Sequence, residues 1–143
     1  MLRKHISGGE SVKKKQVILG ASLLALLWNL YLVIGATLNI SSFMTRVAGG
    51  HYQRLPVGLR FAYGVQTLIV IFEFFFLIAL YQHSGAWSKN SYLLSRIFLI
   101  LTVMSAFVNF ASRSSDEKWN SLAAVIVAYG FFSLAEMRFK PRK

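Results

Sequence analysis

Four long apolar runs divide the chain, and short polar segments separate them. The runs cover about residues 17–38, 61–81, 92–112 and 119–137. Each has roughly the 17–25 residues that an α-helix needs to cross a hydrocarbon layer about 30 Å thick. The pattern therefore predicts an all-α protein with four transmembrane helices in an antiparallel bundle. Residues 17–137 would form the membrane domain, and residues 1–16 and 138–143 would form two polar, basic tails.

The composition favours a membrane protein over a water-soluble domain. Hydrophobic residues make up 55% of the chain and charged residues 15%, whereas soluble domains carry about 25% charged residues.

The first run is about 22 residues long, which exceeds the apolar core of a signal peptide, and no A-x-A cleavage site follows it. We therefore expect this run to remain as a membrane helix.

Basic residues are unevenly divided between the two predicted sides of the membrane. The two tails and the edge of the middle connection hold Arg3, Lys4, Lys13, Lys14, Lys15, Lys89, Arg96, Arg138, Lys140, Arg142 and Lys143. The other side holds Arg46, Arg54, Arg60, Arg113 and Lys118. Because cytoplasmic segments are enriched in Lys and Arg, this bias predicts that both termini are cytoplasmic. The location would be the plasma or inner membrane, in a multi-pass arrangement.

The net charge of +11 narrows the class of partner. Such a charge is compatible with nucleic acid, but the basic clusters adjoin the predicted helices, where Lys and Arg attract anionic lipid headgroups. We predict the lipid bilayer as a partner, contacted through the basic tails, and no nucleic acid. A homo- or hetero-oligomer within the membrane stays open. The chain has no cysteine, which excludes disulfides and thiolate metal sites; no cofactor or metal is predicted.

Small polar residues form a seam along the third helix. Two heptad series make up this seam: Ser95, Thr102 and Asn109, and then Phe98, Ser105 and Ser112. In lipid, helices associate through close packing and interhelical hydrogen bonds, so the seam should face other helices. We predict helix packing at Ser95 and Ser112, and at Ala124 and Ala128 of the fourth helix. The alternative is that the seam lines a polar cavity.

Glu73 lies near the middle of the second helix, about 3 Å from the bilayer midplane at 1.5 Å per residue. An ionised, unpaired acid at that depth is strongly disfavoured, so Glu73 must stay protonated or find a cation. The candidate intramembrane polar site comprises Glu73, Gln66, Asn29, Thr102, Ser105, Asn109 and Tyr129. Glu73 is then either a proton- or cation-coupling carboxylate, or a neutral acid held inside the bundle or against another subunit.

The charged residues near the helix ends have simpler interpretations. Arg96 should extend to the cytoplasmic headgroups, away from the seam. Glu136 should form an interfacial ion pair with Arg138. Asp116 and Glu117 should belong to a solvated charge cluster between the third and fourth helices.

No catalytic residue is predicted. The three histidines lie in separate segments outside the apolar runs, at His5, His51 and His83. Metalloprotease, serine-hydrolase and P-loop motifs are missing from the sequence. Membrane enzyme is therefore the weakest of the function classes.

The longest connection covers about residues 39–60 and contains residues that break helices, namely Gly49, Gly50 and Pro56. We expect a surface loop without its own activity. Its apolar residues would dip into the headgroups as short amphipathic pieces: Phe43, Met44, Val47 and Leu55.

The stretch from Asn109 to Trp119, NFASRSSDEKW, resembles a segment of small uncharacterised bacterial four-helix membrane proteins. Those proteins often have a proline after the tryptophan, whereas this chain has none between Trp119 and Pro141. The resemblance implies a four-helix bundle in a bacterial cytoplasmic membrane, and it implies no activity.

Together these patterns predict a non-catalytic integral membrane protein, either an accessory or structural subunit or a small membrane protein with no catalytic role. The alternative is a small proton- or cation-coupled transporter or channel that uses Glu73.

Overall fold

Four long helices dominate the computed structural model, which describes the backbone of residues 3–82 and 89–139 and the side chains of residues 12–82 and 90–136. The helices are α1 (Arg3–Thr37), α2 (Val57–Gln82), α3 (Lys89–Phe110) and α4 (Ser115–Phe139). No strand occurs within the described ranges. Each helix contains a segment long and apolar enough to cross a membrane: Val12–Thr37, Val57–Gln82, Asn90–Phe110 and Ser115–Glu136. The prediction of an all-helical protein with four such segments is confirmed.

The helix ends differ from the predicted ones mainly at the N-terminus. α1 begins at Arg3 rather than near residue 17, so the segment predicted as a basic tail is largely a continuation of α1. Lysine and glutamine, which dominate residues 13–16, are good helix formers, and no proline interrupts this stretch. The segments 83–88 and 140–143, together with the side chains of His5, His83 and Arg138, lie outside the described residues.

Hydrogen bonds place four helix ends together at what we call the loop end, which carries residues 38–56. The Arg60 side chain of α2 donates to the Thr37 carbonyl of α1 over 3.1 Å. Thr45 of the loop donates to Asp116 of α4 over 3.0 Å, and Ser112, just after α3, donates to Glu117. We call the opposite end of the helices the tail end.

The main core lies between α1, α2 and α4, and α3 packs against α4. Leu26, Leu77, Val127 and Phe131 are among its fully buried side chains. Close approach is achieved with small residues, as membrane helices require: Ser22 of α1 and Gly130 of α4 are both buried where the two helices cross.

The α3 seam is turned inward at the tail end and becomes half-exposed toward the loop end. Ser95 and Thr102 are buried, and Ala124 and Ala128 of α4 are buried as well. The Ser95 hydroxyl donates to the carbonyl of Ser91, and the Thr102 hydroxyl to that of Phe98, each over 2.8 Å. Both are bonds to the residue's own helix, so this part of the seam joins its neighbours by packing alone.

α1 ends in a Schellman motif that starts the loop. Asn39 has a left-handed φ of 60°. The Ile40 amide donates to the Gly35 carbonyl and the Asn39 amide to the Ala36 carbonyl, each over 3.0 Å. The Asn39 side chain then accepts the Leu55 amide over 2.8 Å, which ties the two ends of the loop together.

The loop folds back onto the helices instead of spreading into the headgroups. It contains two short 3-10 helices, Ser41–Arg46 and Ala48–Gly50. Its apolar side chains form a second core with Leu32 and Ala36 of α1, namely Phe43, Met44, Val47 and Leu55. The expectation that these four side chains dip into the headgroups is therefore wrong, because the protein itself offers them an apolar surface.

Among the described side chains, the tail end carries an ion pair between α3 and α4; the predicted pair of Glu136 with Arg138 stays a prediction, because the Arg138 side chain lies outside them. Arg96 of α3 lies 2.7 Å from Glu136 of α4 and donates to the Tyr92 hydroxyl over 2.6 Å. Arg96 faces away from the seam, as its position on the helix indicates, but α4 occupies part of that side. The guanidinium therefore pairs with a protein carboxylate and does not simply extend to the headgroups.

Candidate functional site

A polar cavity of about 340 Å³ lies at the loop end, between all four helices and the loop. Its polar side chains are Asn29 from α1, Arg46 from the loop, Tyr63 and Gln66 from α2, Ser105 and Asn109 from α3, and Glu117 and Asn120 from α4. Apolar residues of α1 and α3 complete the wall. A half-enclosed space with several convergent polar groups is the usual form of a small-molecule site.

Backbone hydrogen bonds hold the loop in place beside the cavity. The Gly49 amide donates to Glu117 Oε2 over 2.8 Å, and the Ala48 amide donates to the Tyr63 hydroxyl over 3.0 Å. Asn120 donates to the Arg46 carbonyl over 3.0 Å and accepts the Trp28 indole N–H over 3.3 Å. The loop is thus fixed to α2 and α4 by side chains that also line the cavity.

Glu117 is a structural carboxylate and not part of a solvated charge cluster. Only 8% of its surface is exposed, and Oε2 accepts from both Gly49 and Ser112. Its position in the first turn of α4 also places a negative charge at a helix N-terminus, where it is favoured. The expectation of a solvated residue is wrong for Glu117 because the loop folds over it.

Several side chains that line the cavity have no close polar partner among the described residues. Asn29 and Gln66 form no hydrogen bond with another described residue, and Asn109 makes only a long contact of 3.5 Å to Ser105. Arg46 forms no ion pair with a described residue; its guanidinium lies 5.8 Å from the Trp28 ring. Three carboxamides and one guanidinium therefore have hydrogen-bonding capacity left for a ligand.

Phenylalanine rings close the bundle on the tail-end side of the cavity. Phe98 contacts Phe72, Phe76 and Phe131 with ring centroids 5.4 to 5.7 Å apart. These rings lie beyond Gln66 along α2 and before Leu101 along α3, so they follow directly on the cavity wall. The polar space therefore ends within the bundle.

Glu73 lies apart from this cavity, although Gln66 lines it. Glu73 is 5% exposed and forms no hydrogen bond or ion pair with another described residue. It lies seven residues after Gln66, a rise of about 10 Å along α2, and so beside the phenylalanine cluster. None of the residues considered as its partners by depth is bonded to it.

The remaining predicted site residues fall into two groups. Asn29, Ser105 and Asn109 meet Gln66 in the cavity. Thr102 is buried and bonded to its own helix, and Tyr129 is 51% exposed on an apolar groove between α3 and α4. Neither of these two residues shares the space around the carboxamides.

Sequence reasoning missed Arg46, Tyr63, Glu117 and Asn120 as cavity residues. One local signal was available for Glu117: the spacing of Ser114 and Glu117 is that of a capping box. The Glu117 amide donates to the Ser114 hydroxyl over 3.4 Å, which is half of that motif, while the Glu117 carboxylate accepts from Gly49 and Ser112 instead of the Ser114 amide. Among the described residues, no group of three or more His, Asp or Glu side chains is placed to hold a metal ion.

No protein-family model matches the chain. Neither the curated proteins nor the solved structures include a match.

Proposed function

We propose that the four helices cross a cell membrane as an antiparallel bundle, with both termini in the cytoplasm and the loop end outside. The excess of Lys and Arg in the tail-end segments supports this orientation. The hydrogen bonds that join the ends of α1 and α3 to the beginnings of α2 and α4 support the antiparallel arrangement. The bundle would then be similar to the small bacterial four-helix membrane proteins that the segment Asn109–Trp119 resembles.

Within that topology, the function is that of a non-catalytic accessory protein that binds a polar ligand in its outer cavity. The observation that carries this proposal is the set of three carboxamides, Asn29, Gln66 and Asn109, in a half-enclosed space closed by phenylalanines. The one carboxylate of the cavity wall, Glu117, already serves to hold the loop. Binding by preplaced donors and acceptors therefore explains the site better than acid–base chemistry does.

A proton- or cation-coupled transporter that uses Glu73 is the second candidate. The burial of Glu73 without a polar partner among the described residues favours it, since intramembrane acids mark coupling sites. Transport would require the phenylalanine cluster to separate, so that water reaches Glu73 from the cavity. The two candidates therefore differ in whether the cavity ever extends past Phe98.

Cysteine accessibility tests both candidates, because the natural chain contains no cysteine. Ser105→Cys would place a thiol in the cavity wall, and Thr102→Cys would place one a turn deeper, in a buried position. In phosphatidylglycerol liposomes, we expect a membrane-impermeant thiol reagent to label Ser105→Cys and to leave Thr102→Cys unlabelled. In intact cells, the exposed position His51→Cys should react from outside, whereas Lys13→Cys should not.

Each other outcome contradicts a separate part of the proposal. An unreactive Ser105→Cys would mean that no open cavity exists. Reaction at Thr102→Cys or at Glu73→Cys would mean that water passes the phenylalanines, which favours the transporter. Reversed labelling of His51→Cys and Lys13→Cys would invert the orientation.

A further inference from the structure

The wall of the cavity combines polar and apolar side chains, and α3 supplies both kinds. Asn29, Glu117 and Asn120 lie on α1 and α4, while α3 contributes Leu101 and Met104 among its apolar residues. Those two are 46% and 59% exposed although they line the cavity. A lining residue that is also exposed marks the mouth, so the cavity opens sideways past α3.

The mouth extends from the half-exposed Arg46 of the loop, on the water side, into the candidate membrane segments, where lipid is the neighbour. Leu101, Met104 and Val108 all belong to the candidate membrane segment Asn90–Phe110. On the other side of the mouth, Gln66 of α2 is exposed and belongs to the segment Val57–Gln82. A molecule that enters by this route can leave an apolar portion among the lipid chains while its polar portion reaches the carboxamides.

The polar groups present both signs of charge without pairing them. Arg46 forms no ion pair with a described residue, and Glu117 is held by neutral donors, the Gly49 amide and the Ser112 hydroxyl. The carboxamide oxygens of Asn29 and Gln66 add further acceptors. A ligand that carries a separated anion and a hydrogen-bond-donating cation satisfies both charges at once.

We propose that the cavity binds the headgroup of a zwitterionic phospholipid with a primary ammonium, phosphatidylethanolamine, taken sideways from the surrounding leaflet. Its phosphate binds Arg46, and its ammonium donates to Glu117 and to the carboxamides. One acyl chain lies along Leu101, Met104 and Val108. A volume of about 340 Å³ suits a headgroup, at the small end of ligand pockets. This inference rests on the open cavity of the proposed function.

Retention of single lipids tests the proposal. The full chain is purified from membranes, exchanged into mixed micelles with equal phosphatidylethanolamine and phosphatidylglycerol of matched acyl chains, and examined by native mass spectrometry. We expect one phosphatidylethanolamine molecule to be retained, with about tenfold higher affinity than phosphatidylglycerol. One charge-assisted hydrogen bond from the ammonium accounts for a difference of that size. Arg46→Gln should lower the retention of both lipids about tenfold, because both carry the phosphate that Arg46 binds. Arg54→Gln removes the same charge from an exposed part of the same loop that does not line the cavity, and it should keep both the retention and the preference.

A second readout separates this inference from the proposed function. Adding phosphatidylethanolamine to the phosphatidylglycerol liposomes should slow labelling of Ser105→Cys about tenfold. If Ser105→Cys reacts equally fast in both lipids, the cavity is open but takes no such lipid, and only this inference fails. If water-soluble glycerophosphoethanolamine protects it as well as the lipid does, the ligand is a free solute and the lipid assignment is overturned. A thiol that reacts in neither lipid refutes the open cavity itself.

Gln66→Leu keeps the inference testable if Arg46→Gln disturbs the loop. Gln66 forms no hydrogen bond with another described residue, so its replacement should leave the fold intact. It removes one acceptor for the ammonium, and we expect the preference for phosphatidylethanolamine to fall severalfold. An unchanged preference in Gln66→Leu, together with unchanged lipid retention in Arg46→Gln, would place the bound lipid elsewhere on the protein.

Discussion

Gly130 of α4 lies directly against the side chain of Ser22 on α1, so a methyl group at position 130 would overlap the Ser22 hydroxyl and approach its Cβ to 2.9 Å. The same hydroxyl donates to the Ile18 carbonyl over 2.8 Å and lies 3.4 Å from the Ile126 carbonyl on α4. The separation of α1 and α4 is therefore set by a glycine and a serine at one crossing point.

Gly130→Ala should destabilise the bundle by about 1–3 kcal/mol, the usual cost of overpacking a close contact. The free energy of unfolding is measured by raising the fraction of a denaturing detergent in mixed micelles. Gly20→Ala is the matched control, because a methyl group there meets nothing within 4 Å. Ser22→Gly combined with Gly130→Ala should restore much of the loss. Equal stability of Gly130→Ala and Gly20→Ala would show that the helices are not this close.

Gly35→Ala should release the loop from α1. A methyl group at Gly35 would lie about 2.5 Å from the Phe43 ring, which covers this glycine. Because Phe43 belongs to the second core, its displacement should speed amide hydrogen exchange across residues 41–50. Gly64→Ala serves as control, since its nearest neighbour would be Thr37 Cγ2 at an ordinary 3.7 Å. Protection that survives Gly35→Ala would contradict the docked loop.

Glu117→Gln should loosen the loop at Gly49. The amide keeps one acceptor oxygen but removes the charge from two hydrogen bonds, a loss of about 1 kcal/mol or more. The measurement is the exchange rate of the Gly49 amide. Asp116→Asn removes the same charge from the preceding residue, which accepts a hydrogen bond from the Thr45 hydroxyl. This control should leave the Gly49 amide protected from exchange. Similar rates in the two variants would mean that Glu117 does not hold this amide.

Glu73→Gln should fold normally and unfold within about 0.5 kcal/mol of the natural protein, the range for changes that break no specific contact. The reason is that Glu73 forms no ion pair or hydrogen bond with another described residue. Unfolding in mixed micelles gives the stability, and the carboxyl band in infrared difference spectra gives the protonation state. A strong loss of stability would require a cationic partner for an ionised Glu73.

The sequence predicts the helices well because their cause is local. A long apolar run in lipid must satisfy its own backbone, and only a helix does so within one segment. Of the predicted packing positions, Ser95, Ala124 and Ala128 are buried, whereas Ser112 lies just after α3 and is half-buried. Half of the cavity's polar wall, Asn29, Gln66, Ser105 and Asn109, belongs to the polar site predicted around Glu73, although Glu73, Thr102 and Tyr129 of that predicted site lie elsewhere.

The other half depends on contacts that no local pattern contains. Phe43 docks because Gly35, eight residues earlier, leaves room for its ring. Glu117 becomes buried because the loop reaches α4. Glu136 pairs with Arg96 because α4 packs beside α3. In each case the decisive partner lies on another element, and the spacing of residues within one segment carries no information about it.

The continuous length of α1 determines how the bundle meets membranes of different thickness. Its 35 residues span about 52 Å at 1.5 Å per residue, far more than a hydrocarbon layer of about 30 Å. Lys13, Lys14 and Lys15 follow one another at steps of 100° and so cover more than half of the circumference of α1. Three adjacent positive charges disfavour moving this part of the helix into the hydrocarbon layer. In the proposed topology, the lysines would hold the tail end at the membrane surface, and a thinner or thicker bilayer would shift its opposite surface relative to Arg46 and the cavity mouth.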